Sequence, residues 1–460
     1  MSNPTAPAGA ASSALFSEST RRYVLGVLVV TYTFNFIDRQ ILGILVEPIK
    51  QDLGVSDTFM GLLTGLAFAL FYTLMGIPIA RIADRANRRN LIAIALAVWS
   101  AFTALQGVAQ NAWQLMAFRI GVGVGEAGCS PPSHSIIADY YPPNRRASAL
   151  GIYSLGIPVG ILFGFFVGGW MEEFFGWRWA FFVVGIPGLL LALLVRFTVA
   201  EPPRGLSEQR ESDEEQPPVL NVISYLLARR SWVHMAVGGG LAAFAGYGLI
   251  TFGAAFFTRT HGMSSGELGT WLGLIFGIPG GIGIALGGRL ADRYGERDPR
   301  WFLWVVAVAL AVLMPFGIMV YVVDDGMLAM AFLVLPVMLG NFYQATTFAQ
   351  TQTLVGLRMR SVASALLLFT LNIIGLALGP SVVGALSDAL APTYGDDSLR
   401  WALLICGFGN LWAAFHYWRA GVHFPGDLER IGEPAPPPPR WLLAVLKVLG
   451  WLYRIVRLGR

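Results

Sequence analysis

A chain of 460 residues that is 55% hydrophobic and only 13% charged is too apolar for a soluble protein, where roughly 25% of residues carry charge. Its net charge of +4 invites a nucleic-acid partner, but the positions of the charges turn that excess into a topology signal, and none is assigned. Two cysteines inside predicted spans, Cys129 and Cys406, and five scattered histidines exclude a disulfide framework and offer no metal-ligand spacing.

Apolar runs such as Leu303–Val323 and Trp179–Val199 are continuous rather than alternating. Each is about the length of roughly 20 residues that a helix needs to cross a bilayer core. Backbone polar groups in lipid must be satisfied internally, and the lack of alternation selects helices over a barrel. The predicted fold class is an all-α polytopic membrane protein, with twelve transmembrane helices in two pseudo-symmetric six-helix bundles.

In chain order, residues 1–22 read as a polar tail, with no basic segment before a short apolar run and hence no secretory signal. Spans follow at 23–46, 57–80, 90–110, 112–138, 146–171 and 179–200, forming an N-terminal bundle over 23–200. Pro131 and Pro132 predict a kink or break in span four. Residues 201–231, with the acidic run Ser207–Glu215, read as a polar linker. Six more spans at 232–258, 265–291, 301–323, 327–354, 361–390 and 398–420 form a C-terminal bundle over 232–420. In 421–460 a Pro-rich linker precedes Trp441–Arg460. There Arg440, Lys447, Arg454 and Arg457 fall on one helical arc, as in an amphipathic helix lying on a membrane surface.

Of the 32 basic residues, 26 fall on one side of these spans and four on the other: Lys50, Arg178, Arg259 and Arg400. The remaining two, Arg39 and Arg119, lie inside spans. The positive-inside rule places both termini and the linker in the cytoplasm of a cell inner membrane.

The chain repeats itself. Ala80-Arg-Ile-Ala-Asp84-Arg85-Ala-Asn-Arg88-Arg89 follows span two, and Gly288-Arg-Leu-Ala-Asp292-Arg293-Tyr-Gly-Glu-Arg297 follows span eight, 208 residues later. Ala147-Ser-Ala-Leu150 is echoed by Ala363-Ser-Ala-Leu366 at the starts of spans five and eleven. Repeats at matched positions require two six-span halves in parallel topology.

On these loops the sequence resembles the major facilitator superfamily, although Ala80 and Asn87 stand where its signature loop has glycines. Within it the chain is similar to the Spinster family, through Asn35-Phe-Ile-Asp38-Arg39, Arg119-Ile-Gly-Val-Gly-Val-Gly-Glu126-Ala-Gly, Gly176-Trp-Arg-Trp-Ala-Phe181 and Glu201-Pro-Pro-Arg-Gly205. Animal Spinster proteins carry sphingolipids and lysophospholipids. The resemblance implies a bacterial-type secondary transporter working by alternating access, monomeric, with no cofactor and a proton gradient as its drive. It also implies a cytoplasmic gate at Asp84, Arg85, Arg88, Arg89, Asp292, Arg293 and Arg297, and a cavity lined by spans one, four, seven and ten.

Ionisable residues inside spans are costly and mark function by default. Asp38 and Arg119 lie at similar depths, roughly 13 and 12 Å below one surface, and Glu126 roughly 10 Å deeper on the Arg119 face. Arg119 can pair with either acid but not fully with both. Exchanging it would load a proton on one carboxyl and release it from the other. Asp38, Arg119 and Glu126 are therefore the candidate proton-coupling set, with a static ion-paired network as the alternative.

Candidate substrate contacts are Arg39, assigned either to a substrate anion or to a second ion pairing, Asn35, Ser130 and Ser133 in the first half, and Tyr247, Thr251, Asn341, Gln344, Phe348 and Thr351 in the second. Interhelical hydrogen bonding explains the latter set equally well. Glycines 156, 160, 164 and 168 form a small-residue seam suited to close helix packing or sliding. The expected function is proton-coupled transport of an amphipathic, lipid-like substrate. A proton-coupled antiporter of drugs or hydrophobic metabolites and a non-transporting membrane sensor are the alternatives. No nucleophile–base set, metal site or phosphate loop points to an enzyme.

Overall fold

The computed structural model describes residues 16–83, 85–204, 206, 217–443 and 450. Among these residues every regular element is helical. Span one is Glu18–Ile44, capped by the Ser17 hydroxyl, which accepts from the Thr20 amide at 3.2 Å; a further helix, Val46–Leu53, follows it. Span two runs from Asp57 to Ala83 and widens into a π-helical segment at Leu62–Ala67. Span three is Arg88–Gln106, and its N-cap Asn87 accepts from the Asn90 amide at 2.9 Å.

Span four is interrupted. Ala112–Glu126 ends at Ala127, and Ser130–Tyr140 restarts the helix with proline in its first turn. Proline has no N–H to donate, so the first turn is where a helix accommodates it without losing a hydrogen bond. The expected break is therefore present, with Pro131 and Pro132 opening the second segment.

Pro143–Ser154 and Gly156–Phe175 form span five, and Trp177–Thr198 forms span six. Arg230–His261, Ser265–Gly295 and Trp301–Val322 are spans seven, eight and nine. Span ten is also interrupted, into Gly326–Gly340 and Tyr343–Thr353. Span eleven carries a second π-helical segment at Asn372–Ala377, and span twelve runs through Ser398–Gly407 and Gly409–Glu429.

Among the described residues, nine stretches are long and apolar enough to cross a membrane, and one of them, Arg360–Glu429, contains both spans eleven and twelve. Spans one and four are not among the nine, and both carry buried charges: Asp38 on one, Arg119 and Glu126 on the other. A twelve-span reading is consistent with both observations. The acidic run 207–216 and most of Trp441–Arg460 lie outside the described residues. The linker contains one short helix, Val219–Leu227, which buries Val222, Tyr225 and Leu226.

The chain forms two compact units. The first comprises 1–212, 248–278 and 380–402; the second comprises 213–247, 279–379 and 403–460. In the first unit the span-five glycines lie directly on span one. A Cβ on Gly160 would sit 2.5 Å from the Phe36 Cβ, and one on Gly168 would sit 2.5 Å from the Ile44 Cγ2. Close backbone approach of this kind is what small residues at four-residue intervals permit. In the second unit the core gathers Trp232, Met235, Leu310, Leu367, Tyr417 and Phe424, and the linker helix packs into it through Tyr225 and Leu226.

Candidate functional site

Within the first unit, spans one and four bring four ionisable side chains together. Asp38, Arg119 and Glu126 are each 2% exposed or less. Arg39, one residue along from Asp38, sends its guanidinium across to span four, where Nε lies 2.7 Å from the Glu126 Oε2. The same guanidinium lies over the rings of Tyr72 at 4.6 Å and of Phe36 and Phe68 at 5.1 Å. Cation–π contacts of this kind strengthen when desolvated.

Arg119 makes no ion pair with either carboxylate among the described residues. Its Nη1 donates to the backbone carbonyl of Asp38 at 3.2 Å, and its guanidinium lies 4.5 Å over Phe68. The pairing expected of Arg119 is thus made by Arg39 in this state. Asp38 faces Trp99 and Thr103 of span three. Its Oδ1, the Glu126 Oε1 and both amide atoms of Asn35 are buried without a hydrogen-bond partner. Unsatisfied polar atoms of this density in one place are unusual, and each costs about 1–3 kcal/mol. Ser133 closes back on the Cys129 carbonyl at 2.7 Å, while Ser130 is half-buried beside the break. Both cysteines are free and buried.

The arginine-poor end of the same unit holds a network that charge counting alone does not reveal. Arg259, at the end of span seven, grips Asp57 through two bonds of 2.7 Å and Glu47 through Nε at 2.6 Å. Lys50 adds a 2.9 Å bond to Asp57. Asp388 of span eleven accepts from the amides of Asp57 and Thr58 at 3.1 and 2.7 Å, and Ser387 donates to Asp57 at 2.7 Å. Gly61 and Gly384 let spans two and eleven touch backbone to backbone here, since a Cβ on either would overlap a carbonyl of the other helix. Gly169 and Gly269 do the same for spans five and eight. The arginine-poor ends of both sequence halves are therefore bound together within one compact unit. The available signal was that Arg259 is one of only four basic residues on that side.

The loop residues behave differently. Asp84 lies outside the described residues, and Arg85 is exposed. Arg88 is buried, paired with Asp139 and, at 2.8 Å, with Glu201; Glu201 also accepts from the Arg89 amide at 2.8 Å. In the second unit Asp292, Arg293 and Arg297 are exposed, and the Asp292 carboxylate has no partner among the described residues.

Also in the second unit, span ten carries Asn341, whose Nδ2 donates to the Val337 carbonyl at 2.8 Å, and Gln344, which donates to Asn341 at 2.6 Å. Thr351 is buried with its hydroxyl unpartnered, and Phe348 and Tyr247 flank the core. Thr251, on the same helix as Tyr247, falls in the first unit and is buried. Pattern reading missed the bond between Thr347 and the Tyr417 hydroxyl at 2.6 Å, because span twelve had shown no polar stripe.

Residues 28–380 match the Major Facilitator Superfamily profile. The chain is 38% identical over 409 residues to an MFS-type efflux pump of Mycolicibacterium smegmatis, covering 88% of this chain and 93% of that one. It is 29% identical to Protein spinster homolog 1 of Xenopus tropicalis, over 85% of this chain and 79% of the relative. A crystal structure of a bacterial homologue of the human lysosomal transporter Spinster, inward-facing and unoccupied, superposes with a TM-score of 0.82 at 32% identity, covering 90% of this chain and 99% of that one.

The chain belongs to the major facilitator superfamily and to its Spinster family. It is accordingly a multi-pass membrane transporter, not an enzyme. In this Spinster-family chain the three buried ionisable groups, with the partly buried Arg39 beside them, are a substantial energetic burden for a transporter to keep.

Proposed function

We propose that this chain is a proton-coupled secondary transporter of an amphipathic, lipid-like substrate, such as a lysophospholipid or sphingoid phosphate. The observation that carries the reading is the buried set on spans one and four. Arg39 holds Glu126 while the Asp38 carboxylate has no cationic partner in contact. A carboxyl inside a membrane without a counter-charge is tolerable when a proton neutralises it. If Arg39 leaves Glu126 for Asp38 as the helices rock, Glu126 needs that proton and Asp38 releases it. Asn35, Ser130 and Ser133 stand beside the set and supply hydrogen bonds for a polar headgroup. The second unit offers the neutral polar and aromatic face of span ten.

The arginine-rich ends are read as cytoplasmic. The domain scheme is two six-helix bundles, 23–200 and 232–420, joined by the 201–231 linker and moving about the coupling set, with Asp84 and Asp292 as gate residues. The bound arginine-poor ends supply the closed outer side of that cycle.

A second reading, export of hydrophobic small molecules, is favoured by the 38% identity to the mycobacterial efflux pump. Purified protein in liposomes with an imposed pH gradient separates the two. Gradient-driven accumulation of labelled lysolipid or sphingoid phosphate is expected. Accumulation of cationic dyes in its place supports the second reading, and gradient-independent behaviour of all three classes refutes proton coupling. A cysteine at Ser212, outside the described residues, should label only from the cytoplasm if the orientation is right.

A further inference from the structure

In the second unit a groove runs between the first turns of span seven and the last turns of span twelve, and cationic or protonatable side chains line it. Arg230 and His234 come from span seven; His416, Arg419 and His423 come from span twelve. The two helices are brought close by Gly238, where a Cβ would lie 3.1 Å from the His416 Cβ. His234 and His416 face each other through Nδ1 atoms 3.0 Å apart. The His423 ring stacks on His234 at 5.9 Å, and Arg419 Nη2 lies 3.1 Å from His423 Nε2.

Among the described residues no carboxylate forms an ion pair with this group. The nearby carboxylate, Asp427, is committed to the amide and hydroxyl of Ser231 at 2.8 and 2.7 Å. Arg229 turns away toward Tyr225, the Arg430 carbonyl and Glu433. Among the described residues no carboxylate pairs with Arg230 or Arg419.

The groove faces outward from the unit's core. Trp412, Phe415 and Trp418 on the same helix are about half exposed, and Trp418 lies under the Arg419 guanidinium at 5.9 Å. Tryptophan beside arginine at a span end is the composition of a membrane–water interface. The groups spread over about one turn of span seven and two turns of span twelve, roughly 6 and 10 Å, enough for a phosphate with its ester oxygens. Basic grooves between spans are where anionic headgroups bind in membranes.

We propose that this groove binds the phosphate headgroup of an anionic glycerophospholipid from the leaflet at the arginine-rich ends, with the acyl chains along Trp412, Phe415 and Val422. This lipid is a resident of the protein's outer surface and is independent of the substrate and of the coupling set.

Native mass spectrometry of the purified full-length protein tests it, using dioleoyl phosphatidylglycerol and dioleoyl phosphatidylcholine as probes. The parental protein should retain one phosphatidylglycerol with at least a tenfold preference over phosphatidylcholine. The preference should fall at least tenfold in Arg230→Gln/Arg419→Gln and more weakly in His234→Gln/His416→Gln, the latter carrying the test should the arginine variant not fold. Thermal unfolding with phosphatidylglycerol should show a stabilisation that the variants lose. Equal retention of both lipids by the parental protein, or undiminished preference in both folded variants, overturns the proposal. Displacement of the lipid by millimolar inorganic phosphate also overturns it, assigning the groove to free anions.

Discussion

Spans four and ten occupy corresponding places in the two sequence halves, and both are broken near the middle, yet they hold opposite chemistry. Span four stops at Glu126 and resumes at Ser130; span ten stops at Gly340 and resumes at Tyr343. Around the first break lie Arg119 and Glu126, fully buried, with Glu126 answered by Arg39 from span one. Around the second lie Asn341, Gln344 and Thr347, neutral groups that bond to the helix itself or to one another, with Tyr417 the single partner from another span among the described residues. A neutral amide that returns a bond to a carbonyl one turn back is cheap inside a membrane. A charge there costs about 2.5–3.5 kcal/mol even on the mildest scale. The break is thus a shared architectural device, while buried charge beside it belongs to span four and not to span ten.

That contrast can be broken by mutation. The largest effect is expected from Arg39→Ala, which leaves Glu126 buried without a counter-charge. Removing one partner of a buried pair typically costs about 3–5 kcal/mol. Thermal unfolding should show this, and adding Glu126→Gln should restore much of the loss. Additive losses in that double-mutant cycle would mean the two residues do not act as a pair.

Arg259→Ala should rank next, because Asp57 keeps Lys50 and Ser387 as partners. Spin labels on the arginine-poor ends of spans two and seven should report longer distances than in the parental protein. Unchanged distances would show that the glycine contacts alone hold that end. Gly160→Ala presses on the Phe36 Cβ and should cost about 1–3 kcal/mol, as overpacking does. Wild-type stability there would argue that span five slides freely on span one.

The smallest effect belongs to span ten. Thr347→Val removes one hydrogen bond to Tyr417 and should cost about 1 kcal/mol. It should leave the pH dependence of transport unchanged. A shifted pH profile would place proton handling in the second half as well and dissolve the contrast.

Much of this arrangement was legible in the sequence, for reasons that differ by residue. Asp38, Arg119 and Glu126 stood out because charge inside an apolar run needs a reason. Counting residues from the span ends put Asp38 and Arg119 at one level, and Arg119 indeed reaches the Asp38 carbonyl. Pro131 and Pro132 announced the break in span four, since two adjacent prolines remove two backbone donors and are best tolerated in the first turn of a helical segment. The partner of Glu126 was not legible. Arg39 is rotated about 100° from Asp38 on an ideal helix, and its long side chain still sweeps back to span four over Phe36, Phe68 and Tyr72. Side-chain reach of that kind is set by packing, not by periodicity. The network at the arginine-poor end joins residues up to 331 positions apart, a pairing that no local pattern encodes. The break in span ten lacks a proline at the restart and gave no warning.

The central claim, that the charged break in the first half couples transport to protons, is tested most directly by proton flux. Liposomes loaded with a pH-sensitive dye and containing the parental protein, Asp38→Asn or Glu126→Gln would be exposed to a transported lysolipid at matched internal and external pH. Substrate addition should move protons through the parental protein, and each variant should lose at least nine-tenths of that flux while still binding the lysolipid. Parental proton flux in both folded variants would contradict the account.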